Sequence, residues 1–216
     1  MIHTDQPVIG RALTTTYTPD RPGLHERMRQ QGHEAGHVGA MNSWPIDMLQ
    51  QGDVYVADAY GKIDGGTLIG DNLGNAIHAN SGNGVVFDGS ARDLGGLEEI
   101  EGFNAFVREF HPSIIEEMML LSINAPARIG QVTVLPGDVV LARREGVIFI
   151  PSHLAEQVVE EAEIVMLQDM FGHQRLREGA YTPGQIDGEW SQDIKADFYG
   201  WLDENRSEVP VPEDVV

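Results

Sequence analysis

The 216-residue sequence predicts an α/β protein built on a mixed sheet, and the same pattern also admits an α+β arrangement. Three observations carry this. Short runs rich in β-branched residues, bounded by Gly, Pro and Asp, recur along the chain. Two of them, "GDVYVAD" (52–58) and "GVVFD" (84–88), flank a stretch with helical spacing, which makes a βαβ-like unit. Further on, "ARIGQVTV" (127–134), "DVVLAR" (138–143) and "GVIFIP" (146–151) follow one another through "LPGD" and "REG" turns, as antiparallel hairpins do.

Taken in order, "PVIGRALTTTYTP" (7–19) reads as a strand bounded by prolines. Residues 20–45 mix helical and glycine-rich pieces. After the strand at 52–58 comes a glycine-rich connection, 61–72, with room for a short strand at Thr67–Ile69. Leu73, Ala76 and Ile77 then share one face of a short helix over Asn72–Asn80, for which Asp71 or Asn72 is the expected cap. "LGGLEEI" after Asp93 suits another short helix, and "NAFVREF" (104–110) a strand. Ser152 is placed to cap a long helix over 153–168, with Leu154, Val158, Ala162 and Val165 on one face. The tail reads as a loop, an amphipathic helix near 189–204 and an acidic end. Its Trp190, Phe198 and Trp201 are expected to bury against the body or a neighbouring subunit.

Composition narrows the function. There is no cysteine, which removes disulfides, thiolate metal sites and cysteine nucleophiles. Acidic residues number 34 against 14 Lys and Arg, a formal net charge of -20. Nucleic-acid binding draws on cationic side chains, so no nucleic-acid partner is expected. An anionic substrate would need a local positive centre. No apolar run approaches roughly 18 residues and the opening "MIHTDQPVIG" has no cationic-then-apolar pattern. Neither a membrane span nor a signal peptide is therefore expected, and the cytoplasm is the natural location.

Chemistry-bearing residues gather around two stretches. In "LIGDNLGNAI" (68–77) a glycine precedes a helix start, where backbone N–H groups and the helix dipole favour a carboxylate or phosphate. Alone this is a common way to begin a helix. In "GVVFDGSARD" (84–93) a core strand runs into Arg92 and Asp93. Alone that pair reads as a helix start and a surface ion pair. In a parallel βαβ unit, however, the helix start and the loop after Asp88 share the sheet edge at the strands' carboxyl ends, where such sheets bind ligands. Asp93 would then offer a hard oxygen to Mg²⁺. Arg92 would offer a planar fork to a carboxylate or enolate oxygen. Asp71 and the amides of Gly70, Asn72 and Leu73 would complete the set, which suits stabilisation of a pyruvate enolate.

Asp71, twenty intervening residues, then Arg92-Asp93 resembles the D-X20-R-D arrangement of the RraA-like family. "VIGRALT" (8–14), "GDVYVAD", "PARIGQVTVLPGDVVLARREGVIFIP" and the helix beginning "SHLAEQVVEEAE" extend the likeness over about residues 7–167. That family holds 4-hydroxy-4-methyl-2-oxoglutarate/4-carboxy-4-hydroxy-2-oxoadipate aldolases and the regulator of ribonuclease activity A. The resemblance implies a swivelling β/β/α domain over 1–168 and a helical C-terminal extension over 169–216, packing on that domain or on a neighbouring subunit. It implies a homotrimer or hexamer with the site at a subunit interface. It also implies a class II-type aldolase and decarboxylase acting on a small oxo acid with Mg²⁺, Mn²⁺ or another divalent cation. In that scheme Asp93 matches the metal ligand. Arg92 matches the residue on the pyruvyl part and its enolate. Gly70–Leu73 match the amides that hold the carboxylate, and Asp71 matches the aspartate near the water that relays a proton. The family usually has a helical segment before the strand matching "VIGRALT", whereas this chain starts almost at that strand. Either the start lies upstream or the early pocket wall is built differently. "NSWPIDMLQQGD" and the C-terminal tail match no aldolase feature. A non-catalytic regulator of a ribonuclease, and a different metal-enolate reaction on a sugar acid, remain as alternatives.

Other candidates carry less. Lys62 could bind a second carboxylate or form a Schiff base, but a solvated loop lysine is the simpler reading. His33 and His37 have helical metal-ligand spacing, but glycines surround them. His111 is either a general acid/base or a structural histidine before proline. Met118 and Met119 read as packing, and "GKIDGGTLIG" does not match a dinucleotide-binding GxGxxG.

Overall fold

The computed structural model describes Ile2 and residues 7–206. It forms two compact units, Met1–Ser152 and His153–Val216. The boundary expected at 168/169 falls inside a continuous helix, and the division lies instead at 152/153, where that helix begins.

In chain order the first unit contains β1 (Val8–Pro19), α1 (Pro22–Glu34), β2 (Asp53–Asp58), α2 (Asp71–Ser81), β3 (Val85–Asp88), β4 (Ser90–Ala91), α3 (Leu94–Glu98), β5 (Ala105–Phe106), β6 (Glu109–Phe110), β7 (Met118–Ile123), β8 (Ala127–Ile129), β9 (Val132–Val134), β10 (Val139–Arg143) and β11 (Gly146–Ile150). The main sheet has the order β11-β10-β1-β2-β3-β5, with β7 also on β1. Its centre is parallel, β1 to β2 to β3 to β5, and its flanks, β10, β11 and β7, are antiparallel.

All residues of β2 and of β3 are buried, as expected for central parallel strands covered on both faces. Side chains alternate across the sheet. Leu13, Tyr55 and Phe87 point into one core with Ile77, Leu97 and Phe103, while Val54, Val56, Val86 and Val140 build a second on the other face. The expected α2 is present and ends on Gly82, whose positive φ of 71° stops the helix. Its N-cap is Gly70, not Asp71 or Asn72, and no side chain caps it.

Two expected strands are broken. "NAFVREF" divides into β5, on the main sheet, and β6, which pairs with β4, because the chain changes sheets between them. "ARIGQVTV" is a small hairpin, β8 against β9, turning at Gly130 with φ 59°. Met118 and Met119 open β7 and are both buried, Met118 in the first core, as packing residues.

The second unit holds α4 (Ala155–Glu178), α5 (Pro183–Ile186) and α6 (Gln192–Asn205). Ser152 begins a short 3-10 turn and is not the cap of α4. Leu167 and Phe171 of α4 pack with Ile194, Phe198, Trp201 and Leu202 of α6. The stripe Leu154–Val158–Ala162–Val165 is not part of that core. The tail aromatics are thus buried within their own unit. Arg175 forks onto Asp197 at 2.9 and 2.7 Å, and the Tyr181 hydroxyl donates to the same carboxylate at 3.0 Å.

Candidate active site

The βαβ unit decides where the reactive groups go. β2 and β3 run parallel, so the segment entering α2 and the segment leaving β3 emerge at one sheet edge. They are stitched together there: Leu68 N–H donates to Ser90 O at 3.0 Å and Arg92 N–H to Ile69 O at 2.9 Å. The expected short strand at 67–69 reduces to a parallel bridge between Thr67 and Ser90.

Past that bridge Asp93 takes a left-handed conformation, φ 57° and ψ 45°, at the N-cap of α3. This turn brings its carboxylate back over Gly70. A Cβ on Gly70 would overlap Asp93 Oδ2 and come within 3.2 Å of Arg92 Nε. Glycine is therefore required by contact, since the Gly70 backbone is extended. Asp71 meets Gly96 of α3 in the same way, with its Oδ2 only 2.6 Å from where a Cβ would stand. The starts of α2 and α3 interlock through two glycine–aspartate contacts.

A cleft of about 80 Å³ opens on this junction. Residues 67–73 and Arg92 line it, so Gly70, Asp71, Asn72, Leu73 and Arg92 share one cleft. Asp93 lies at the rim, its Oδ2 3.6 Å from Arg92 Nε, and both side chains are about two-fifths exposed. At that spacing the pair is loose and both heads remain open to a ligand. One helix amide is already used, since Asn72 N–H donates to Asp71 Oδ1 at 2.8 Å.

Three lining residues carry no signal in the sequence. Asn42, from the segment after α1, is buried and donates to Leu68 O at 2.7 Å, fixing the floor. Ile114 and Ile115 form the far wall. Their strap is tied down by His111 N–H to Ala91 O at 2.9 Å, by Gly65 N–H to Ser113 Oγ at 2.9 Å, and by the Thr67 hydroxyl to Ser113 O. These contacts span up to 48 positions, so no local pattern announces them.

The remaining candidates lie elsewhere. Lys62 is paired with Glu117, and that hydrogen bond raises its pKa, the wrong direction for a neutral Schiff-base amine. The His111 ring faces Ser113 Oγ at 3.0 Å and Asp64 at 3.7 Å. His37 stacks on Trp44 at 4.9 Å and His33 meets its edge at 6.0 Å, so both pack on an indole. A second polar cluster, unmarked in the sequence, sits at the ends of β2 and β3. Buried Asp88 takes Arg108 and Gly130 N–H, and Arg128 lies 3.5 Å from Asp58 and 3.7 Å from Asp88.

Among the described residues no group of three His, Asp or Glu side chains is arranged to hold a metal. The donor set still fits Mg²⁺, which takes one or two carboxylates and completes its shell with water. Asp93 supplies such an oxygen at the open rim, beside Gly70.

The sequence model of the RraA-like family, Aldolase/RraA, matches residues 1–149. The chain belongs to the RraA-like family. Among relatives, Protein DlpA of Legionella pneumophila is 27% identical over 163 residues, 75% of this chain but only 24% of its own length. An Ectopseudomonas mendocina protein provisionally named 4-hydroxy-4-methyl-2-oxoglutarate aldolase is 29% identical over 111 residues, 51% of this chain and 67% of its own. Streptomyces coelicolor RraAS2, described as an unusual member of the RNase ES inhibitor RraA protein family, superposes with a TM-score of 0.65 at 26% identity over 79% of each chain. This RraA-like chain thus has the expected fold, a mixed α/β domain with a helical C-terminal region. No described helix is long and apolar enough to cross a membrane.

Proposed function

We propose that this RraA-like protein is a divalent-metal-dependent lyase. It would cleave a 4-hydroxy-2-oxo acid to pyruvate by retro-aldol chemistry, with oxaloacetate decarboxylation as a side activity through the same enolate. The observation that carries this is the meeting of Arg92, Asp93 and the start of α2 on Gly70, beside a cleft. The provisional aldolase name of the E. mendocina relative supports the same class.

A divalent cation on Asp93 would act as Lewis acid toward the 2-oxo group. The amides opening α2, apart from that of Asn72, which Asp71 already holds, receive the substrate carboxylate, aided by the helix dipole. In the cleavage the O4–H proton leaves, C4 becomes a carbonyl, and the C3–C4 electron pair passes into an enolate over C3, C2 and O2. The guanidinium of Arg92 faces that developing oxyanion and stabilises it. Asp71 orients the water that moves the proton, and protonation at C3 gives pyruvate. In this reading the protein is a homotrimer or hexamer in the cytoplasm, acting on small oxo acids without a nucleic-acid partner.

The test is pyruvate release in a coupled assay, with Mg²⁺ titration by calorimetry. EDTA and Asp93→Ala should each abolish release, and Asp93→Ala should also remove the binding heat. Release that survives either treatment overturns the reading. The likeness to RraAS2 favours a second reading, a contact regulator of a ribonuclease. A stoichiometric ribonuclease partner in a pull-down, with no heat of metal binding, would select it.

A further inference from the structure

Resting on the pyruvyl-lyase reading, we propose that Asn42 is a further positioning residue of the site. Together with Asp71 it would hold the water that takes the O4–H proton and returns a proton to C3. Asn42 lines the cleft with Asp71 and is 9% exposed. Its amide fits in only one orientation. Leu68 O is an acceptor, so the side-chain nitrogen must face it, and Nδ2 donates there at 2.7 Å. The carbonyl end, Oδ1, then points away from Leu68. No described residue donates to it, and among the described residues the one buried polar side-chain atom without a partner is Trp44 Nε1. Oδ1 is therefore open, and the space it opens to is the cleft.

The position of this oxygen is fixed from behind. Trp44, two residues on, is buried in the space that a Cβ on Gly32 would need, and His37 stacks on its indole at 4.9 Å. A fixed acceptor is matched only by a donor. A 4-hydroxy-2-oxo acid presents its carboxylate, its 2-oxo oxygen and the enolate as acceptors, which Oδ1 repels. The donor common to all such acids is the C4 hydroxyl, whose proton has to leave, and an amide oxygen is too weak a base to take it. Water meets both demands. Asp71 retains lone pairs beyond the one that Asn72 N–H occupies. A water that gives one hydrogen to Asp71 and the other to Asn42 Oδ1 turns its own lone pair on the O4–H. As C3–C4 breaks it accepts that proton and hands one of its own to the Asp71 carboxylate. The same path run backwards protonates C3 of the enolate, so no net proton is gained or lost. A cleft of about 80 Å³ has room for such a water. Asn42, Leu68 and Asp71 belong to one chain, so a neighbouring subunit across the cleft leaves this wall as it is.

Two measurements separate this role from the lyase reading itself and from a mere brace for residues 67–73. Deuterium exchange from heavy water into the methyl group of pyruvate with Mg²⁺, followed by NMR, needs both the enolate and the proton relay. Oxalate, a planar dianion shaped like the pyruvate enolate, needs the α2 amides and Arg92 but no proton transfer, and calorimetry with Mg²⁺ reads its affinity. Failure of wild type to catalyse exchange or to bind oxalate removes the lyase reading and this role with it. Asn42→Ala is expected to slow exchange by about 10- to 100-fold through kcat, with oxalate affinity and the KM for pyruvate within about threefold of wild type. Asn42→Leu, closer in volume to asparagine, should do the same and serves if the alanine variant fails to fold. Unchanged exchange, or a parallel loss of exchange and of oxalate binding, overturns the role of Asn42 while leaving the lyase reading in place.

Discussion

At the scale of single residues, the candidate site depends on Gly70 as much as on its charged groups. Asp93 reaches the rim because its backbone is left-handed, and its carboxylate fits because nothing projects from Gly70. Gly70→Ala should therefore displace Asp93 and Arg92 without unfolding the domain. Mg²⁺ binding should weaken, and pyruvate release should fall by about 100-fold, the usual cost of roughly 1 Å of misplacement. An unchanged circular dichroism spectrum would separate this from global unfolding. Gly96→Ala tests the other half of the interlock. It should move Asp71 and lower kcat more than Mg²⁺ affinity, and equal losses in both would count against separate roles for the two aspartates. The buried hydroxyls of Tyr17 and Tyr55, 2.9 Å apart, make a different prediction. Burial raises the pKa of both, that of Tyr55 to about 12. An unfolded tyrosine titrates near pH 10. Their contribution to stability is thus complete below about pH 10 and is lost as pH rises toward 12. Chemical denaturation across that range should show a falling midpoint, less steep in Tyr17→Phe.

At the scale of elements, local patterns were readable and long-range ones were not. β2, α2, β3 and the β10–β11 hairpin follow from alternation, helical spacing and turn residues. The convergence of Asp71, Arg92 and Asp93 follows from the parallel βαβ connection alone. β5 and β6 read as one strand because their residues have uniform strand propensity, and only pairing with β3 and β4 separates them. Gly130 inside "ARIGQVTV" was the one local sign of the β8–β9 turn. Asn42 and the Ile114–Ile115 wall had no sign, because hydrogen bonds to distant backbone place them. The joint between α4 and α6 allows a test at this scale. Asp197 is held below the usual carboxylate range, first by its hydrogen bond to Arg175 and also by Tyr181. A depressed carboxylate stabilises above its unfolded pKa, near 3.9, and loses that contribution as pH falls through the folded value. Asp197→Asn should destabilise the second unit by about 1–2 kcal/mol at neutral pH, read by denaturation. That difference from wild type should vanish in acid.

At the scale of the whole molecule, charge and topology dominate. A chain of net charge -20 repels the oxo acids it is proposed to cleave. Raising salt from about 10 mM to about 200 mM shortens the screening length from about 30 Å to under 10 Å. kcat/KM for an anionic substrate should then rise by about two- to threefold, whereas a site governed by long-range attraction would show the reverse. The separate core around Phe171 predicts that Phe171→Ala costs about 3–5 kcal/mol in the second unit. Hydrogen exchange should then rise over 155–205 and stay unchanged in β2 and β3. A last consequence lies in β1. One of its edges carries β2, and the other is shared between β10 and β7, with a register shift at Thr16/Tyr17. A ribosome therefore releases the founding strand long before two of its three neighbours exist, since Val8 must wait for Ala142. Until then the exposed margin of that strand is an unpaired edge on which another nascent chain can add.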